Sequence, residues 1–224
     1  MVERDGSYRA MVGPEEIELP LVRIADDLAI ALLITVDHGV AFTERAAHHL
    51  AGQLREYDVE IVASVATMGI PLAIEVTRAL ALDDYLIFQK TPKIHLSDAI
   101  TEPVKSITTG GAQKLLFDRA RVPVAENRRV ALVDDIISTG ASVRAALRLL
   151  RRVGAEPVAV GALLTEGRVW KQTLGDDAAL VRSLGAIPLF RYGDNGELVE
   201  DWEGTAGEVG AAQGAKSYPT GNDG

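Results

Sequence analysis

The chain has 224 residues and a formal net charge of −9, from 23 Lys and Arg against 32 Asp and Glu. On average it repels nucleic acid and anionic membrane, so a phosphate-bearing partner has to be met by a local cluster of donors. Hydrophobic residues make up 47% of it, which excludes disorder as the main state, and the absence of cysteine excludes disulfide frameworks, thiol catalysis and zinc–thiolate sites.

Residues 1–36 read as irregular or strand-forming. Their longest strongly apolar run, 28–36, falls short of the ~20 residues a bilayer crossing needs. Glu3, Arg4, Asp5, Glu15, Glu16 and Glu18 leave no apolar signal-peptide core in the first eighteen residues, so the expectation is a soluble, cytoplasmic protein. Residues 42–57 place Ala47, Leu50, Leu54 and Tyr57 at helical spacing, with Thr43 available as a cap. The apolar run 60–65 predicts a strand, and Gly69 followed by Pro71, a residue favoured in a first helical turn, predicts a helix over 70–82. Further strands are predicted over 85–88, 114–117, 129–133 and 158–164, with a helix over 142–153 between the last two. This alternation predicts an α/β fold with a central, mainly parallel sheet flanked by helices and a ligand site at the carboxyl ends of the strands.

Residues 90–111 hold Pro92, Pro103, Gly110 and Gly111 and little periodicity, making a connection far longer than the common ~4–6 residues. Two readings stand: a lid or binding loop, and a disordered insertion or hairpin. Residues 1–203 are expected to form one domain with a small hood from about 1–36 and 186–202. Residues 204–224, rich in Gly, Ala, Ser, Thr and Asn, are expected to be a disordered tail.

The richest stretch is 129–142, which runs Arg-Val-Ala-Leu-Val-Asp-Asp-Ile-Ile-Ser-Thr-Gly-Ala-Ser and continues with Val143, Ala146, Leu147, Leu150 and Val153 on one helical face. The order is strand, acids, loop, helix. Residues Ser138, Thr139, Gly140, Ala141 and Ser142 would wrap a helix amino end, where backbone N–H groups and the positive end of the dipole attract phosphate. The hydroxyls of Ser138, Thr139 and Ser142 add donors, and Gly140 permits a tight turn. Asp134 and Asp135 would repel the same phosphate, so they suit hydroxyl groups or a divalent cation that accompanies the ligand. A ligand with a phosphate at one end and a diol nearby meets both demands, and a ribose 5-phosphate is the simplest.

Residues 130–142 resemble the phosphoribosyl pyrophosphate-binding signature of type I phosphoribosyltransferases, with Ala141 in place of the usual second glycine. The resemblance implies that Asp134 and Asp135 hold the ribose 2′- and 3′-hydroxyls and take part in catalysis, and that residues 138–142 hold the 5′-phosphate. It implies a pyrophosphate site at Ala66, Thr67, Met68 and Gly69, resting on main-chain donors because Thr67 and Met68 stand where charged residues are common. Residues 89–93, Gln-Lys-Thr-Pro-Lys, resemble the Arg-Lys-x-x-Lys segment of adenine and related purine enzymes. By that likeness Lys90 is catalytic, and Lys90 and Lys93 neutralise pyrophosphate, in that family sometimes from a neighbouring subunit. Lys105, Thr108, Thr109 and Gly110 occupy the place of the flexible catalytic loop, with Thr108 and Thr109 where the adenine enzymes carry glutamate and tyrosine.

The resemblance therefore implies phosphoribosyl transfer to a nitrogenous base, of purine type, with Mg2+ carried by the donor and no direct protein metal ligand. It also implies a homodimer, with neither nucleic acid nor membrane as a partner. Two alternatives remain open: a donor-sensing regulatory protein with little or no turnover, and a metal-dependent phosphohydrolase with Asp134 as nucleophile. His48 and His49 point about 100° apart on a helix and do not form a metal pair. Arg144, Arg148, Arg151 and Arg152 read as the polar side of the helix over 142–153, Trp170 and Trp202 as packing residues, and Glu166, Gly167 and Arg168 as an edge of the base pocket.

Overall fold

The computed structural model describes residues 4–104, 113–193 and 195–204. The chain opens with three antiparallel strands, β1 (Arg4–Val12), β2 (Glu15–Ala25) and β3 (Leu28–Ala31). In β2 the period-2 pattern turns Ile17, Leu19 and Leu21 into the core and leaves Glu16 and Glu18 outside. Helix α1 (Gly39–Leu54) follows and buries Phe42, Ala46, Ala47, Leu50 and Leu54. Thr43 does not cap it; its hydroxyl donates to the Gly39 carbonyl inside the first turns.

The central layer begins with β4 (Ile61–Val65), α2 (Gly69–Ala79) and β5 (Tyr85–Phe88). It then passes through β6 (Ile100–Val104), β7 (Gln113–Phe117) and the short α3 (Val122–Ala125). It resumes with β8 (Arg129–Ile137), α4 (Ala141–Arg152), β9 (Glu156–Glu166), α5 (Val169–Leu174) and β10 (Val181–Ile187). The sheet order is β10-β9-β8-β4-β5 and every pairing in it is parallel. Successive residues of its strands alternate between two cores, as a sheet covered on both faces requires. Ile61, Ala63, Val65 and Leu132 pack with α4, while Val62, Val133 and Leu163 pack with α1, α2 and the first three strands.

The strand predicted over 114–117 exists but stands outside the parallel sheet. As β7 it pairs antiparallel with β6, and a single bridge from Gln89 to Leu116 attaches the pair beyond β5. Within the long connection, residues 100–104 pair with residues 113–117. The pair's apolar residues Val104, Leu115 and Phe117 alternate into the core, with Phe117 edge-on to Phe88 at 5.3 Å. Arg152 of α4 anchors it by donating to the Thr101 carbonyl and to Glu102, both at 2.8 Å. Lys105, Thr108, Thr109 and Gly110 lie outside the described residues.

A second, antiparallel sheet of order β1-β2-β3-β11-β12 forms the hood, with β11 (Leu189–Tyr192) and β12 (Leu198–Asp201) returning to lie beside β3. Residues 186 and 187 complete β10 in the central sheet before the chain crosses over. The tail predicted over 204–224 falls outside the described residues beyond Gly204. Among the described residues no helix is long and apolar enough to cross a membrane.

Candidate functional site

In the order β10-β9-β8-β4-β5 the chain runs outward in both directions from the junction of β4 and β8. At such a switch point the two following connections leave to opposite sides and open a crevice beyond the carboxyl ends of the strands. A cavity of about 260 Å³ occupies that position. Its walls come from the loop after β4 (Ala66, Thr67, Met68), from Lys90 beyond β5, from Asp134 and Asp135 of β8, and from Ser138 to Ser142 at the start of α4. The structure thus brings together three segments that are distant in sequence. Lys93 is exposed and lies outside the cavity wall, at the start of a 3-10 turn, so the two lysines of the segment separate.

The acids sit further inside a strand than predicted. β8 continues to Ile137 because its pairing with β9 persists, with Ile136 opposite Leu164 and Ile137 opposite Thr165. Asp134 keeps part of its surface open to the cavity while packed among protein atoms, and Asp135 is buried. Burial, and then the neighbouring charge of Asp135, push the Asp134 carboxyl well above the usual carboxylate range, with the charge of Lys90 acting in the opposite direction. The site therefore holds two acids short of positive charge, a place for hydroxyl donors or a cation.

Across from them the amino ends of α2 and α4 converge. Neither helix has an acidic residue within its own first turn or a side-chain hydrogen bond from its N-cap residue. Gly140 is the N-cap of α4 at φ +76°, a left-handed conformation that an L side chain rarely adopts. A β-carbon on it would also stand 3.2–3.3 Å from Trp170, whose backbone braces the loop from behind. Ala141 is the first residue of α4 and has negative φ, so it presents its N–H as a glycine would. That N–H reaches the Thr139 hydroxyl at 3.3 Å, and the Ser138 hydroxyl donates to Glu166 at 2.5 Å. Two of the three loop hydroxyls are thus already engaged within the protein.

The loop after β4 is closely packed. The Ala66–Thr67 peptide is cis, and the buried Thr35 hydroxyl donates to the Met68 carbonyl at 3.5 Å. A β-carbon on Gly69 would fall 2.1 Å from Ser64 Oγ and 3.0 Å from Asp134 Oδ1, so only glycine allows the start of α2 to approach the acids this closely.

Three contributors were not legible in the sequence: Ser64, Thr35 and the supporting role of Trp170. Glu166 and Arg168 do not edge the cavity. Glu166 lies behind Ser138, and Arg168 pairs with Glu203. His48 and His49 are exposed on α1, as expected for surface residues. Arg144 and Arg151 of α4 reach the Thr173 carbonyl and Asp177, tying α4 to the segment that follows β9.

Comparison with known proteins agrees with this architecture. The family model for the phosphoribosyl transferase domain matches residues 41–181. The chain is 29% identical over 162 residues to an orotate phosphoribosyltransferase of Lactiplantibacillus plantarum, covering 71% of this chain and 64% of that protein. It is 29% identical over 156 residues to the orotate phosphoribosyltransferase of Helicobacter pylori, covering 67% and 66%. Of two further such relatives the matched part is 43% and 57% of their length. The fold is similar to that of adenine phosphoribosyltransferase from Rhodothermus marinus, with a TM-score of 0.58 at 18% identity over 81% of this chain and 94% of that one. The adenine enzyme of Saccharomyces cerevisiae gives 0.58 at 16% identity over 80% and 94%. With more than half of its length matched by that model, and with the crevice placed where the fold requires, the chain belongs to the phosphoribosyl transferase domain family.

Proposed function

We propose that the protein transfers the phosphoribosyl group of 5-phosphoribosyl 1-pyrophosphate to a ring nitrogen of a base. The observation that supports this most is the meeting, in one cavity, of an acidic pair suited to hydroxyls with two helix amino ends suited to phosphates. In this reading Asp134 and Asp135 hold the ribose hydroxyls, Ser138 to Ser142 hold the 5′-phosphate, and the amides of residues 66–69 together with Lys90 hold the pyrophosphate. Magnesium enters with the donor as part of the substrate. Lys93 has a lesser part because it stands outside the cavity.

The reaction follows from charge. The base nitrogen forms a bond to C1 while the bond from C1 to the pyrophosphate oxygen breaks, the electron pair leaves with pyrophosphate, and the proton on the nitrogen passes to solvent. Positive charge grows at C1 and the ring oxygen, and negative charge grows on the leaving group. Lys90 and the preorganised amino end of α2 stabilise the latter, and the acidic pair beside the ribose tolerates the former. The acceptor that we assign is a purine, on the likeness of the Lys90 segment to that of the purine enzymes. The orotate activity named for the sequence relatives makes orotate the competing acceptor.

The test is pyrophosphate release by the protein with magnesium, the donor, and adenine, guanine, hypoxanthine or orotate in turn. Release with a purine and not with orotate is the expected result. Release with orotate alone replaces the purine assignment. Donor binding without release from any base points to a donor-sensing protein instead.

A further inference from the structure

Resting on the assignment of Ser138 to Ser142 as the phosphate loop, the structure carries a further role for a residue outside the cavity. Glu166 is the last residue of β9 and is buried, 5% exposed. Its carboxylate accepts the Ser138 hydroxyl at 2.5 Å. An acid directly behind an anion-binding loop opposes the loop's task, both by its charge and because it takes the proton that Ser138 would otherwise offer to the ligand. We propose that Glu166 is a positioning residue that couples phosphate binding to proton uptake: as the phosphate arrives, Ser138 turns its O–H to it and Glu166, now protonated, donates to Ser138 Oγ.

The proton comes from solvent, one per site, and no covalent bond changes. Burial already pushes the Glu166 carboxyl up, against the hydrogen bond from Ser138. The charged groups on the elements around it are committed elsewhere. Arg168 pairs with Glu203, Arg191 of β11 pairs with Asp27 and Asp201, and Asp134 and Asp135 of β8 line the cavity. None of them forms an ion pair with Glu166, so an arriving dianion is the strongest new charge that the buried carboxyl meets.

The experiment is titration calorimetry with ribose 5-phosphate, across pH and in buffers of different ionisation enthalpy, on the wild type, Glu166→Gln and Ser138→Ala. The proton count measured for Glu166→Gln subtracts the ionisation of the ligand itself. The wild type is expected to take up about one more proton per site than Glu166→Gln at pH values between the titration range of Glu166 in the free protein and its raised range in the complex, and no more below that window, where the acid is already protonated. Across the window the ratio of variant to wild-type affinity rises about tenfold per pH unit. Ser138→Ala, a loop substitution that keeps the acid, is expected to bind more weakly and to lose the extra proton. Equal proton counts in the wild type and either variant overturn the coupling while leaving the phosphate loop in place. No binding of ribose 5-phosphate by the wild type overturns both.

Discussion

Ser64 is a polar residue in the otherwise apolar interior strand Ile61–Val65, and its buried hydroxyl has no hydrogen-bond partner among the described residues. A stranded buried hydroxyl costs about 1–3 kcal/mol. Its replacement by alanine removes one atom, and the void is small because Gly69 lies against it; at about 24 cal/mol per Å³ the void returns only a few tenths of a kcal/mol. Ser64→Ala should therefore stabilise the protein by about 1–2 kcal/mol, a rise in Tm of roughly 2–8 °C for a chain of this size. Gly69→Ala should do the reverse, since its new β-carbon would stand 2.1 Å from Ser64 Oγ, and overpacking of this kind costs about 1–3 kcal/mol. In the double variant the nearer collision is gone. Most of the stability should return, with a coupling of at least about 1 kcal/mol, while the approach of 3.0 Å to Asp134 Oδ1 remains and keeps donor binding weak. Urea unfolding of the four proteins, with donor titration of each, measures both effects. A loss of 1 kcal/mol or more in Ser64→Ala, or simple additivity in the double variant, would refute the packing argument.

Asp134→Asn combined with Asp135→Asn should lower donor affinity by more than about tenfold, from the loss of charged hydrogen-bond acceptors, with an unchanged circular dichroism spectrum. Asp134→Asn alone should stabilise the free protein at neutral pH. The folded carboxyl is held above its unfolded value by burial and by Asp135, so its penalty is absent below the unfolded value of about 3.9 and grows as pH rises toward the folded one. Unfolding midpoints that show the same gain at low and neutral pH would contradict this. Lys90→Ala should reduce kcat/KM by roughly 10–100-fold through the lost charge on pyrophosphate, whereas Lys93→Ala, outside the cavity, should stay within about twofold in the same assay. Gly140→Ala should cost about 1–2 kcal/mol for its left-handed backbone and, by pushing the loop off Trp170, weaken binding of ribose 5-phosphate in calorimetry.

The central layer was legible because its strands bury both faces. Runs such as Ile61–Val65 are apolar throughout, and the helices between them carry one-sided patterns, as α4 does with its arginines opposite Val143, Ala146, Leu147 and Leu150. That residues 134–142 line a cavity was legible because local order alone, acids at a strand and then a hydroxyl-rich turn before a helix, sets them side by side. What escaped depends on contacts between segments. The hairpin of β6 and β7 is short, begins beyond a proline-containing stretch and gains its stability from α4 and Phe88, none of which is adjacent in sequence. The end of β8 was placed too early because two aspartates are poor strand formers in isolation, and the partner β9 overrides that preference. The hood draws on both ends of the chain, so the pairing of β3 with β11 has no local signature. The hydrogen bond between Ser138 and Glu166 had no local signature either, because only the side-by-side ends of β8 and β9 bring the two residues together.

A crystal structure of the protein with 5-phosphoribosyl 1-pyrophosphate and magnesium probes the whole scheme at once. The account predicts density in the crevice between β4 and β8, with the 5′-phosphate on the main-chain N–H groups of residues 139–142, the ribose hydroxyls within hydrogen-bond distance of Asp134 and Asp135, and the pyrophosphate between residues 66–69 and Lys90. A donor seated elsewhere, or turned so that its 5′-phosphate faces away from the amino end of α4, would contradict it.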